Sequence, residues 1–397
     1  IIARQGSDSK MDDKEFIPPG KRIELDHIDN NVEVGDGATL VAKDEEIYIA
    51  GTITSKGSFS VVGNLTAISI RCKRGSLTVE GDLSVKKHIR IDKRLSVEGA
   101  LLSPEIAVGG VLEVEGDLQS DEIKVGGTLK VEGNVAAETV QVGGTMKIEG
   151  NCNIGAISVG GTVKLEGQAD IENLRVGGTA KVESGKFLEV KVGGTFQAEG
   201  EVDIDTIDVG GTIKLEESAK IANANVGGSF KAVEEFEFGS LTVGGTIKIE
   251  AKATGKNLSV GGTLIIDDDI TTEGRLTVGG SCIIDGNLYG NEITIGNEIR
   301  ASRIQGNYFK IGRRGLATCP VIADKIIISE KATVDDLIGK DITIEEKARA
   351  KNVYGEVIYI ETDARISGEI HYVEELDVET GANLSKEPKK VKKLPSF

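Results

Sequence analysis

The run VGGTLKVEGNVAAETVQV, Val125 to Val142, holds one whole period of this sequence and the first residue of the next. Leu129 and Val131 alternate with Thr128, Lys130 and Glu132, the period of two expected of a half-buried strand. Gly133-Asn134 then reads as a turn, because both residues tolerate positive φ. Val135 and Ala137 resume the alternation and a polar corner passes through Glu138. Val140 and Val142 alternate again, with Gln141 between them, and Gly126-Gly127 turns the chain into its unit. Three short strands and three corners make one roughly triangular coil of a parallel β-helix.

The same unit recurs along most of the chain. Val-Gly-Gly starts at 108, 125, 142, 159, 176, 192, 209, 226, 243, 260 and 278, at intervals of 17 apart from one 16 and one 18. Gly143-Gly144 and Gly160-Gly161 are the corner glycines of the next two units. Ile295, Ile311, Ile328, Ile344, Ile360 and Val378 continue the series downstream, and Ile91, Ile70, Ile49 and Val34 are its expected anchors upstream. A period this short excludes helix pairs and propeller blades and points to a solenoid. About 21 coils, each about 4.8 Å along the axis, predict a rod on the order of 100 Å. The expected organisation is a leader over 1–30, a single β-helix over 31–382 and a basic Pro/Lys tail over 383–397.

Composition agrees with this reading. The 397 residues include 52 Gly, 6 Pro and no Trp, and only 4% are aromatic, which suits short strands and tight turns. A net charge of −17 argues against nucleic acid as a partner. No apolar run reaches the length of a membrane-spanning helix. Cys72, Cys152, Cys282 and Cys319 form no paired motif, and Cys152 and Cys282 fall at inward positions equivalent to Val135 and Leu264. Ile1 opens the sequence, and Met11 is an alternative native start.

Equivalent residues stack outside as well as inside. Lys130, Lys147, Lys164 and Lys181 fall in one column, and Glu132, Glu149, Glu166 and Glu183 in another two positions on. Like charges at this spacing repel, and diagonal Lys–Glu pairs offset the repulsion. The columns read as a solubilising face, with lateral docking of another filament as the alternative. The Thr128, Thr145, Thr162 column lacks the paired Thr-x-Thr ranks of an ice-binding face, since Lys takes the second position.

Catalytic constellations are not assembled. His27, His88 and His371 are the only histidines, and the last two lie about 17 coils apart, roughly 80 Å. Asp267-Asp268-Asp269 on one coil offers too few oxygens for a hard cation and reads as a solvated turn. The near-constant period leaves no insertion to build a groove. No cofactor, metal site or enzymatic activity is expected.

A β-helix ends in unpaired backbone groups and an open apolar column, which must be capped or joined to another chain. Neither the leader, with Pro18-Pro19, nor the tail SKEPKKVKKLPSF reads as a capping helix. Lys386, Lys389, Lys390, Lys392 and Lys393 make the tail locally basic, with Leu394 and Phe397 as weak apolar contacts, suited to a partner protein or an anionic membrane surface.

Coils of the type V-G-G-T-x-K-V-E-G-N-V, flanked by tails of which the last is Pro/Lys-rich, resemble the bactofilins. The resemblance covers roughly 30 to 382. It implies a right-handed triangular solenoid, end-to-end assembly into non-polar filaments without nucleotide, attachment to the cytoplasmic membrane through a terminal tail, and no catalytic residues. The family's core has few coils, so about 21 of them leave room for a spacer or shell role. The expected function is a cytoplasmic, self-assembling scaffold. The alternatives are an exported cell-surface or sheath protein and, further off, a carbohydrate-active β-helix enzyme.

Overall fold

The structure, a computed structural model, describes residues 3–4 and 14–394; Ile1, Met11 and Phe397 lie outside the described residues. It is an all-β parallel solenoid of about 22 turns with about 17 residues per turn. The chain divides into two compact units, Ile1–Glu199 and Gly200–Phe397.

In the first unit the strand Thr128–Val131 pairs in parallel with Thr145–Ile148, so Thr faces Thr and Lys faces Lys. Val135–Val142 pairs with Cys152–Val159, and the ladder skips Glu138 opposite Gly155. The longer strand therefore supplies two sides of the coil, divided at the corner that the alternation places at Glu138. Leu129, Val131, Val135, Val140 and Val142 are all buried.

The second unit repeats the scheme, with Thr212–Leu215 on Ser229–Ala232 and Ala219–Val226 on Phe236–Val243. Several of its few aromatic rings lie inside. Phe230 and Phe236 sit 4.8 Å apart between ring centres, and Phe236 and Phe238 5.5 Å.

The corner glycines are where expected, but for a different reason. Gly126, Gly127, Gly133 and Asn134 all lie outside the left-handed region. What the Gly-Gly corner requires is close approach. A Cβ on Gly126 would sit 2.1 Å from the carbonyl oxygen of Gly109, and one on Gly143 2.2 Å from that of Gly126. The N–H of Gly126 donates to Val108 O at 2.9 Å and that of Gly127 to Gly110 O at 2.9 Å, so the ladder continues through the corner.

At the other corner a side chain replaces the carbonyl. Asn134 N donates to Asp117 Oδ1 at 2.8 Å, Asn151 N to Asn134 Oδ1 at 3.0 Å, and Gln168 N to Asn151 Oδ1 at 2.9 Å. Asn and Asp recur here because each satisfies the backbone of the coil that follows.

Two of the upstream anchors are misplaced in the sequence reading. Ile91 pairs with Cys72, Cys72 with Ser55, Ser55 with Val34 and Val34 with Ile17. Ile70 pairs instead with Ile89, and Ile49 with Ala67 on a different side of the coil. Ser55 is tolerated in this buried column because its hydroxyl donates to Gly57 O at 2.8 Å. The register slips between Val41 and Glu46, where extra residues bulge outward. Parallel pairing also begins within the stretch read as leader, since Lys14–Ile17 pairs with Asn31–Val34.

The last coils close their Val-Gly-Gly corner by another turn. Ala332 N donates to Ser329 O at 3.0 Å and Ala348 N to Glu345 O at 3.1 Å, with Lys331 and Lys347 at φ of 64° and 60°. Asp363 takes the equivalent place at φ 60°, and Gly381 at 97°. Positive φ at the third residue is the type II turn, which favours glycine.

The two corner types respond oppositely to substitution. Gly143→Ala lowers stability by about 1–3 kcal/mol through overpacking against the coil before it. Asp363→Gly raises it by up to about 1 kcal/mol by relieving the left-handed residue. Urea unfolding midpoints of the two variants decide, and a neutral Gly143→Ala rejects the close-approach account.

Candidate functional site: charged columns and coil ends

The outer columns are cross-linked as the stacking predicts. Lys147 Nζ lies 2.7 Å from Glu149 on its own strand and 3.2 Å from Glu166 on the next coil. In the second unit Glu250 lies 2.9 Å from Lys248 and 3.2 Å from Lys231. These pairs are solvent-exposed, so water screens them and each contributes little to stability. Hydrogen bonds from Lys164 and Lys147 hold the Glu166 carboxyl below its usual range, and those from Lys248 and Lys231 do the same for Glu250.

The three histidines stand in unrelated surroundings. His27 stacks on Tyr48 with ring centres 5.2 Å apart and bonds Asp29 at 2.7 Å. His88 lies on the strand beside Glu105. His371 packs edge-on to Tyr354, and its Nε2, buried without a hydrogen-bond partner, is 3.8 Å from Glu369. Asp267 pairs with Lys248 at 3.7 Å, Asp268 accepts from Asp269 N at 2.6 Å, and Asp269 accepts from Asn287 N at 2.6 Å. The triplet is thus consumed in its own corner. No group of three or more His, Cys, Asp or Glu is placed to hold a metal among the described residues.

The glycine corners of the first unit leave a shallow trough of 680 Å³ between Arg90 and Gly160. Its cations are already matched, Arg90 to Glu105 at 3.0 Å and Lys124 to Glu122 at 2.5 Å. The trough has a backbone floor and no convergent reactive group.

The four thiols are buried and free. Burial pushes Cys152 up to about 12 and Cys319 up to about 11, and burial with the nearby Asp92 carboxylate pushes Cys72 up to about 11. Cys282, facing Leu264, is raised by burial too. These thiols are core atoms.

The two coil ends differ. Lys14–Ile17 carries the antiparallel strand Ala3–Arg4 on the side away from the next coil, and Ile17, Leu25 and Ile28 are buried. Among the described residues the strand Ile370–Val378 is followed only by Lys389–Lys390, which pairs with His371 and Tyr372. Leu376, Val378 and Leu384 are only half-buried, whereas Ile358, Ile360 and Ile366 one coil earlier are at most 1% exposed. The basic tail is laid along this end. Lys390 Nζ stands 5.8 Å from the Tyr372 ring centre, and Lys386 lies 3.3 Å from Glu369. The Asn/Asp corner ladder and the unequal ends are what sequence reasoning missed; the recurring G-N and G-D pairs were the visible signal for the first.

Two measurements test these assignments. Ellman's reagent at pH 8 leaves Cys152 and Cys282 unmodified in the folded chain and titrates all four thiols in denaturant; fast reaction of either while folded refutes the core role. Carboxylates such as Glu166 and Glu250, lowered on folding, contribute stability that is present above the ordinary carboxylate range and lost as pH falls through their folded values. The urea midpoint therefore falls on acidification, and less so in Lys147→Ala/Lys248→Ala than in the parent.

Among the described residues no helix is long and apolar enough to cross a membrane. Residues 73–170 match the family described as Bactofilin: Polymer-forming cytoskeletal. No curated protein and no solved structure matches the chain. The matched stretch covers several coils of the first unit, with the Gly-Gly corners and the Lys–Glu columns. Residues 73–170 are a bactofilin domain, and the family to which that domain belongs is structural, polymer-forming and non-enzymatic.

Proposed function

We propose that this chain is a cytoskeletal scaffold that polymerises end to end without nucleotide, the rod itself being the functional unit. The half-buried Leu376 and Val378, on a strand edge that Lys389–Lys390 covers only in part, and the half-buried Leu384 on the next side of the same coil carry this reading. A sheet edge with free N–H and C=O groups templates the addition of another chain. Stacking a second copy on it restores to these residues the burial that Ile358 and Ile360 already have. At about 25 cal/mol per Å² of apolar surface, three such side chains make a useful but reversible contact. The polymer-forming character of the matched family supports the same conclusion. The proposed location is the cytoplasm. There Lys389, Lys390, Lys392 and Lys393, close to the open end, dock the assembly on an anionic membrane surface or a partner protein.

Negative-stain electron microscopy tests the reading. The parent chain forms long thin fibres, and Leu376→Lys/Leu384→Lys gives single particles with an unchanged β-sheet circular dichroism spectrum. A parent chain that remains single at every concentration sinks the proposal.

A further inference from the structure

The Lys–Glu columns balance their own charge, but two other surfaces do not. Residues 71–94 contain eight Lys and Arg against three Asp and Glu, on a chain of net charge −17. Arg71 sits directly beside Arg90 in the ladder, and Lys93 N donates to Gly75 O at 3.2 Å, so the Lys73–Gly75 corner stacks against Asp92-Lys93. Arg90 and Arg94 are matched by Glu105 and Glu113 at 3.0 and 3.1 Å. The exposed side chains of Arg71, Lys73, Arg74, Lys87 and Lys93 have no ion-pair or hydrogen-bond partner among the described residues.

The second unit carries the opposite surplus. Where Gly133-Asn134 and Gly150-Asn151 form the corner in the first unit, the equivalent corners here are Glu217-Ser218, Glu234-Glu235 and Asp268-Asp269. Glu217, Glu234, Glu235 and Asp268 are exposed, and none of the four has a cation partner among the described residues. Lys252 interrupts the ridge on the coil between the last two pairs.

We propose that the basic band of one copy docks side-on against the acidic ridge of a second copy. Like charges stacked on neighbouring coils repel within each chain. A partner that brings the opposite charge at the same coil-to-coil period of about 4.8 Å relieves both surpluses at once. A second copy has that period by construction. A polyanion without it would meet the band while being repelled by the remaining acidic body. The two surfaces differ, so the contact is heterologous and leaves the pair one unused surface of each kind. It is lateral and does not depend on end-to-end polymerisation.

Sedimentation velocity on the full chain carrying Leu376→Lys/Leu384→Lys reads the side contact whether or not the ends polymerise. Oligomers form at low salt, and raising NaCl to about 0.3 M weakens association by about tenfold or more. Adding Lys73→Glu/Lys87→Glu/Lys93→Glu, or Glu217→Lys/Glu234→Lys/Glu235→Lys, abolishes association in each variant alone. Mixing the two restores it, because each reversed surface then meets its complement. Salt-insensitive association, or a mixture that fails to restore it, overturns the proposal. So does an unassociated chain that instead co-sediments with phosphatidylglycerol vesicles through the basic band, which assigns the band to a lipid surface.

Discussion

Every residue in a parallel solenoid has its own equivalent as its nearest non-bonded neighbour, one coil away across a backbone ladder. Each position must therefore be a residue that tolerates a copy of its kind a few ångströms off. Apolar side chains satisfy this at once, and the inward columns are mostly Val, Ile and Leu, with Ala and Phe among them. Elsewhere the condition is harder to meet. Glycine stacks on glycine at the corner because a Cβ would strike the carbonyl of the preceding coil. Asparagine stacks on asparagine because its amide oxygen accepts the next coil's N–H. Lysine can stack on lysine because glutamate two positions on reaches both its own coil and the neighbouring one. Glycine corner, amide ladder and charge columns answer the same spacing.

That constraint also explains what could be read from the amino-acid sequence. Repetition is visible wherever the solution for a column is the same residue each time, so Val-Gly-Gly placed eleven successive coils correctly. It fails where a column changes its solution. Ser55 and Cys72 hold anchor positions that look polar or reactive in sequence, and the pattern slides to Ile49 and Ile70. Turn chemistry was legible as position but not as cause, since glycine serves both positive φ and close approach. Pairwise contacts at Gly126 separate the two, and only coordinates supply them. The switch to a type II turn at Lys331 and Lys347 is hidden because lysine carries no preference for the left-handed region, and Asp363, of a type that does enter it, stands alone.

The residues able to carry chemistry were legible by position. Three histidines on widely separated coils cannot converge, and the Asp267 triplet spends its oxygens on Lys248 and on its own turn. Assembly surfaces are harder to see in one dimension. Leu376 and Val378 carry the same residue types as their buried equivalents, and only the lack of a full strand over them sets them apart. The basic band is contiguous in sequence, but its lack of partners is a property of three dimensions.

The unlike ends bear on how such a chain grows. The antiparallel strand Ala3–Arg4 lies against the outer edge of Lys14–Ile17, a device that blunts edge-to-edge addition. Among the described residues the edge at Ile370–Val378 has only the two-residue pairing of Lys389–Lys390. A head-to-tail stack needs the two ends to be complementary, not alike, so an end that already holds a strand must release it before it can pair. On the end-to-end assembly proposed above, stacking through the C-terminal coil would come first, and extension at the other end would require the N-terminal strand to give up its pairing with Glu15 and Phe16. Displacing a two-residue strand costs little beside the burial of a full coil face, so the strand acts on the order of events more than on the final polymer.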